Sequence, residues 1–194
     1  YFDIVIDEGS IIASNIIDGI NKPIAIIGIA EKGYATVELT CKYNSGHSSM
    51  PGNTTTIGKL SSAITRLEAN QMSSKLIKPI SDFFQYIGPE LSLNQKFILS
   101  NSTFFSSSIL SDLNNKPETA AMIKTTTAAT MVNGGYKENI IPNEATAIIN
   151  FRIIPGNDWN DVKEHLENTI NDSDIQIKLI SNKKDANPSK ISST

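Results

Sequence analysis

Residues 34–43 read Tyr-Ala-Thr-Val-Glu-Leu-Thr-Cys-Lys-Tyr. Polar and apolar side chains alternate, and Thr, Val and Tyr favour extended backbone. That period of two predicts a strand in a sheet with one wet face. A loop follows over 44–55. From Thr56 to Ala69 the residues Ile57, Leu60, Ile64 and Leu67 recur at spacings of three and four. This is the apolar stripe of a helix, with Thr55 or Thr56 available as its cap. Further on, residues 121–131 are Thr-rich and read as a strand, and Asn133-Gly134-Gly135 reads as a turn. Residues 145–154 read as another strand, closed by Pro155-Gly156. Asp158 then caps a helix over 159–171 with Val162, Leu166 and Ile170 on one face, and residues 175–180 alternate again.

From Tyr34 onward the order is strand, helix, strand, strand, helix, strand. That is the ferredoxin-like split βαβ arrangement, an α+β fold. It predicts a four-stranded antiparallel sheet with two helices on one face. Residues 71–118 then form a helical insertion in the first crossover. Leu76, Ile77, Ile80, Phe83, Phe84 and Ile87 suggest one helix, ended by Gly88-Pro89. Residues 91–99 and 106–114 suggest two more, with Pro117 as a stop. Toward the N-terminus, residues 3–6 read as a short buried strand that stops at Asp7-Glu8-Gly9. Residues 23–31 are a second apolar run, after which Lys32-Gly33 punctuates the chain.

The 194 residues suit one domain, or one domain with fragments of another. With 17 Lys+Arg against 20 Asp+Glu, the net charge is −3 and the pI about 5.4. That balance argues against a partner that tracks nucleic-acid phosphates. No run of about 18 apolar residues is present, so no membrane span is expected. The lone Cys41 excludes a disulfide framework and a multi-cysteine zinc site, and reads as a packing residue. The chain starts at Tyr1, inside an apolar run and with no basic leader, which reads as a piece of a longer protein.

Five positions are weighed for chemistry. Glu8, beside Asp7, follows a strand and either binds a cation through oxygen or caps a turn. His47 sits among small residues in a Gly-His-Ser-Ser loop, free to exchange a proton near neutrality or simply solvated. His165 lies among Lys163, Glu164 and Glu167 and reads as part of a solvated helix face. Arg152 is one of two arginines in a lysine-preferring chain. It is either a guanidinium fork for a carboxylate or a surface charge at a sheet edge. Asn139 either makes a turn or offers its amide to a substrate.

The segments DEG (7–9), AEKGYATVELT (30–40), GHSSMP (46–51) and GGYKENIIPNEATAIINFRIIPG (134–156) together resemble the zinc-dependent aminoacylase and carboxypeptidase S group of amidohydrolases and peptidases. The resemblance implies the lid of a hydrolase that cleaves amide bonds in peptides or N-acyl amino acids. It also implies a homodimer formed through that lid, and two zinc ions in the parent. It makes Glu8 a metal ligand, His47 an oxyanion stabiliser reaching the partner subunit's site, and Asn139 and Arg152 substrate-holding residues, Arg152 at the carboxylate. The group's remaining metal ligands and its general base have no counterpart here, so no zinc and no activity are expected of this chain alone. Residues 1–32 would then be an edge of the catalytic domain, 33–180 the lid, and 181–194 the return. Two other classes compete: a self-association module without chemistry, and a ferredoxin-like RNA-binding module. The latter stacks bases on strand aromatics, and residues 147–153 offer one.

Overall fold

The computed structural model describes residues 11–14, 20–183 and 188–189. Residues 3–6 and Glu8 lie outside them. A two-stranded ribbon comes first, β1 (Ile11–Ala13) against β2 (Ile24–Ile26). β3 (Gly33–Lys42) and the two-residue β4 (Gly46–His47) follow, then α1 (Thr56–Ala69). Four shorter helices come next: α2 (Lys78–Ile87), α3 (Leu93–Ser100), α4 (Ser106–Asn114) and α5 (Pro117–Ile123). The chain ends with β5 (Thr126–Gly134), β6 (Ile140–Ile141), β7 (Glu144–Ile153), α6 (Trp159–Ile170) and β8 (Ile175–Lys183).

The four long strands form one antiparallel sheet in the order β5-β7-β3-β8. Numbered one to four in chain order, these strands read 2-3-1-4 across the sheet, the ferredoxin-like order: β8 and β7 flank β3, and β5 lies outside β7. Alternation sets the two faces. Ala35, Val37, Leu39 and Cys41 on β3 are buried, as are Ala147, Ile149, Phe151 and Ile153 on β7. Against them pack Leu60, Ala63 and Leu67 of α1 and Val162, Leu166 and Ile170 of α6. Tyr34, Thr36, Glu38 and Thr40 line the opposite, open face with Thr146, Asn150 and Arg152.

Both packing helices start at capped ends. The Thr55 hydroxyl accepts from the Gly58 N–H at 3.1 Å. Asp158 and Asp161 each accept from the other's backbone N–H, a reciprocal cap. Lys59 of α1 reaches Asp172 (3.2 Å) and Asp174 (2.7 Å) in the turn after α6, which ties the two helices together. The buried Thr56 hydroxyl donates to the Pro142 carbonyl at 2.6 Å, fixing the start of α1 to the approach of β7. Thr56→Val keeps the shape and leaves that carbonyl unpaired. The expected cost is about 1–2 kcal/mol, read as a lower denaturant midpoint with an unchanged slope. No change in midpoint would remove this bond from the account.

Two local readings are corrected. Pro117 begins α5 and does not stop the preceding helix, because proline at the first helical position loses no hydrogen bond. Residues 121–123, read as strand, are the end of α5, where Ala120 and Ile123 are buried. The strand itself is β5, which runs through Gly134. Gly135, with φ of +78°, makes the turn.

Candidate functional site

The central β3–β7 ribbon does not end with the sheet. Lys42 pairs with Glu144, and the Tyr43 N–H donates to the Asn143 carbonyl at 3.1 Å. Then Gly46 and His47 of β4 pair with Ile141 and Ile140 of β6. The Ser48 N–H donates to the Asn139 carbonyl at 3.1 Å. An arm therefore continues the ribbon and carries His47 and Asn139 side by side. The loop expected over 44–55 contains this short strand.

His47 is exposed. Its Nδ1 lies 3.2 Å from the Ser49 N and 2.8 Å from the Ser49 Oγ. A backbone N–H can only donate, so Nδ1 is an acceptor. The neutral imidazole then carries its proton on Nε2. The ring therefore presents Nε2–H as a donor. Asn139 is half-buried, and its Oδ1 is buried with no hydrogen-bond partner among the described residues.

Arg152 lies elsewhere. It sits on the open face of β7, opposite Tyr34 of β3 and Thr126 of β5. β7 is an interior strand, so the edge-strand reading does not apply. The guanidinium lies 5.8 Å from the centroid of the Tyr34 ring. It makes no ion pair among the described residues. At about 3.3 Å per residue, the strand from Ala145 to Arg152 spans roughly 23 Å, and the arm lies beyond the Ala145 end. One chain thus brings His47 and Asn139 together and holds Arg152 more than 20 Å away by the same spacing.

Lys32 is a residue the sequence reading passed over as punctuation. It is half-buried beside Arg152, and its ammonium donates to the carbonyls of Ala121 (2.9 Å) and Lys124 (3.0 Å) at the end of α5. Burial, and then the nearby Arg152 charge, push its pKa down to about 8. His165 also departs from its reading. It is half-buried, its Nε2 has no partner among the described residues, and burial lowers its pKa; it packs near Asn70 at the end of α1. Cys41 is fully buried, as expected of a packing residue.

The inserted helices enclose an open groove of about 700 Å³. Its walls include Phe83, Ile87, Ile98, Ile109, Leu113 and Met122. Among the described residues no three His, Cys, Asp or Glu side chains converge on a point that would hold a metal ion. The described part of the chain therefore does not fit a zinc centre. No helix among the described residues is long and apolar enough to cross a membrane.

The sequence family described as Peptidase dimerisation domain matches residues 29–178. The "Probable carboxypeptidase S-like 2" of Dictyostelium discoideum is 42% identical over 182 residues, covering 93% of this chain and 35% of that protein. The "N-fatty-acyl-amino acid synthase/hydrolase PM20D1.1" of Danio rerio is 39% identical over 177 residues, covering 91% of this chain and 34% of that one. The chain thus spans about a third of the length of these curated relatives. Among solved structures, human carnosine dipeptidase 1 matches with a TM-score of 0.50 at 15% identity, over 84% of this chain and 39% of that chain. At that identity the likeness concerns the fold alone.

Proposed function

This chain belongs to the M20 family of peptidase dimerisation domains, and we propose that it is the lid and dimer-forming part of a metal-dependent hydrolase that cleaves amide bonds in peptides or N-acyl amino acids. In this reading residues 33–180 are the lid, and residues 1–32 and 181–194 lead from and into the catalytic domain. Zinc, two ions per subunit, is held by segments beyond this chain together with Glu8. The chain alone is inactive, and turnover by it in isolation would contradict that.

The observation that carries the reading is the distance between His47 and Arg152. A small substrate cannot touch both from one chain. A two-fold dimer resolves this if β5 pairs with its own copy. β5 lies at the sheet edge, contains neither charge nor proline, and exposes Met131 and Val132. The other edge, β8, carries Lys178 and Lys183, the usual guard against edge pairing. On β5, Thr126 lies at the Arg152 end and Gly134 at the His47 end. Antiparallel pairing about a two-fold axis lays Gly134 of one copy toward Thr126 of the other. The partner's His47 then comes to the end of the sheet that holds Arg152. Each site takes its carboxylate-binding arginine from one chain and its oxyanion donor from the other.

Within such a site Arg152 holds the substrate carboxylate through two parallel N–H donors. His47 Nε2–H stabilises the negative charge that gathers on the carbonyl oxygen when the amide is attacked, and Asn139 offers a second polar contact beside it. In the full-length protein, Arg152→Ala is expected to raise KM on the order of tenfold with kcat little changed, because the carboxylate is gripped in ground and transition states alike. Arg152→Lys recovers little, since one ammonium does not reproduce the fork. An unchanged KM would remove Arg152 from the carboxylate.

A further inference from the structure

We propose that Lys32 is the second cation of the carboxylate site, placed by α5 to share with Arg152 the anionic end of the substrate. The inference rests on the reading of Arg152 given above. Its ground is geometric. An ammonium has three protons. Two of those on Lys32 go to the Ala121 and Lys124 carbonyls, which fix the nitrogen and leave the third without a partner among the described residues. Lys32 precedes Gly33, which pairs with Ile153 beside Arg152, so the two cations lie at the same end of the β3–β7 pair. Neither cation forms an ion pair with a carboxylate among the described residues, although other lysines of the chain do.

Among the described residues, the neighbouring groups do not neutralise the pair. Lys124, just past α5, donates to Asn114, and Lys75 donates to the Gly156 carbonyl while its own N–H bonds the Ile123 carbonyl. Glu31 pairs with Lys183 of β8 at 3.7 Å. Tyr34, the register partner of Arg152, turns its ring toward the guanidinium. Two positive charges side by side, one half-buried, disfavour each other's charged form. A bound carboxylate reverses that cost. Burial, and then the Arg152 charge, lower the Lys32 pKa to about 8. An anion between the two groups restores the proton on Lys32.

The bland role for Lys32 is a clamp on the last carbonyls of α5, as basic side chains at helix ends often are. The two roles separate in the full-length protein, assayed with an N-acyl amino acid and with its carboxamide counterpart. The site role predicts that Lys32→Met raises KM for the carboxylate on the order of tenfold, with kcat within about twofold and KM for the carboxamide unchanged. Lys32→Arg keeps most of the affinity. In the unsubstituted protein kcat/KM for the carboxylate falls above about pH 8, as Lys32 loses its proton, and Lys32→Arg holds it to higher pH. Equal losses on carboxylate and carboxamide, together with a lower Tm, would make Lys32 a clamp and overturn the proposal. The ratio of the two substrates within one variant stays informative even if α5 loosens. A raised KM in Arg152→Ala beside an unchanged one in Lys32→Met overturns only this inference. An unchanged KM in Arg152→Ala overturns the reading beneath it.

Discussion

Replacing His47 by alanine in the full-length protein is expected to lower kcat by a hundredfold or more and to leave KM within about twofold. The size follows from the effect of deleting one oxyanion donor, roughly 3 kcal/mol in a site that excludes water. The split follows from timing. The carbonyl oxygen becomes strongly negative only as the tetrahedral species forms, so a donor aimed there lowers the barrier without tightening ground-state binding. The Ser49 contacts refine the expectation. They hold Nδ1 as an acceptor and so leave the proton on Nε2. The backbone contact survives Ser49→Ala, so that variant should lose far less than His47→Ala. Equal losses would mean the loop, and not the imidazole, matters. Steady-state kinetics of both variants on one substrate decide the matter.

The second large effect concerns assembly. The double substitution Met131→Lys, Val132→Lys places four new charges along a β5–β5 seam, where like charges meet across the two-fold axis and desolvation is costly. In the full-length protein it is expected to turn a dimer into a monomer at micromolar concentration, seen by sedimentation. The lid itself should stay folded, because both side chains are already exposed, at 59% and 62%. Activity should fall about as far as in His47→Ala, since each site then lacks the histidine of the partner subunit. An active monomer would contradict the reading. A dimer that persists would move the interface away from β5.

Much of this was legible in the residues. The alternation at 34–43 and at 145–154 set the two central strands, because each buries one face against helices and leaves the other wet. The stripe at 57–67 gave α1 its boundaries, and Asp158 gave α6 its start. The region from 115 to 131 misled. A proline reads equally as a stop or as a first helical residue, and the Thr-rich run hides where helix yields to strand. The short pairing of β4 with β6 was invisible locally, since two residues carry no period and the partner lies more than 90 residues away. Motif resemblance drew His47, Asn139 and Arg152 into one site. It could not say that Arg152 stands at the opposite end of the sheet from His47 and Asn139. Lys32 escaped because its role depends on carbonyls of a helix some 90 residues on. His165 escaped because its charged neighbours in sequence face water while its ring turns inward.

The central claim is that each site is built from two chains, with Arg152 and the metal ligands from one and His47 from the other. Its most direct test mixes two inactive full-length variants, His47→Ala and Glu8→Ala, and follows turnover as subunits exchange. In a hybrid dimer the His47→Ala chain keeps its own metal ligands and Arg152 and receives His47 from its partner. Random exchange of equal amounts makes half the dimers hybrid, each with one working site of two, so activity should recover to about a quarter of the unsubstituted level. Activity that stays at the level of the separate variants, with exchange verified by differential tagging, would contradict the shared site.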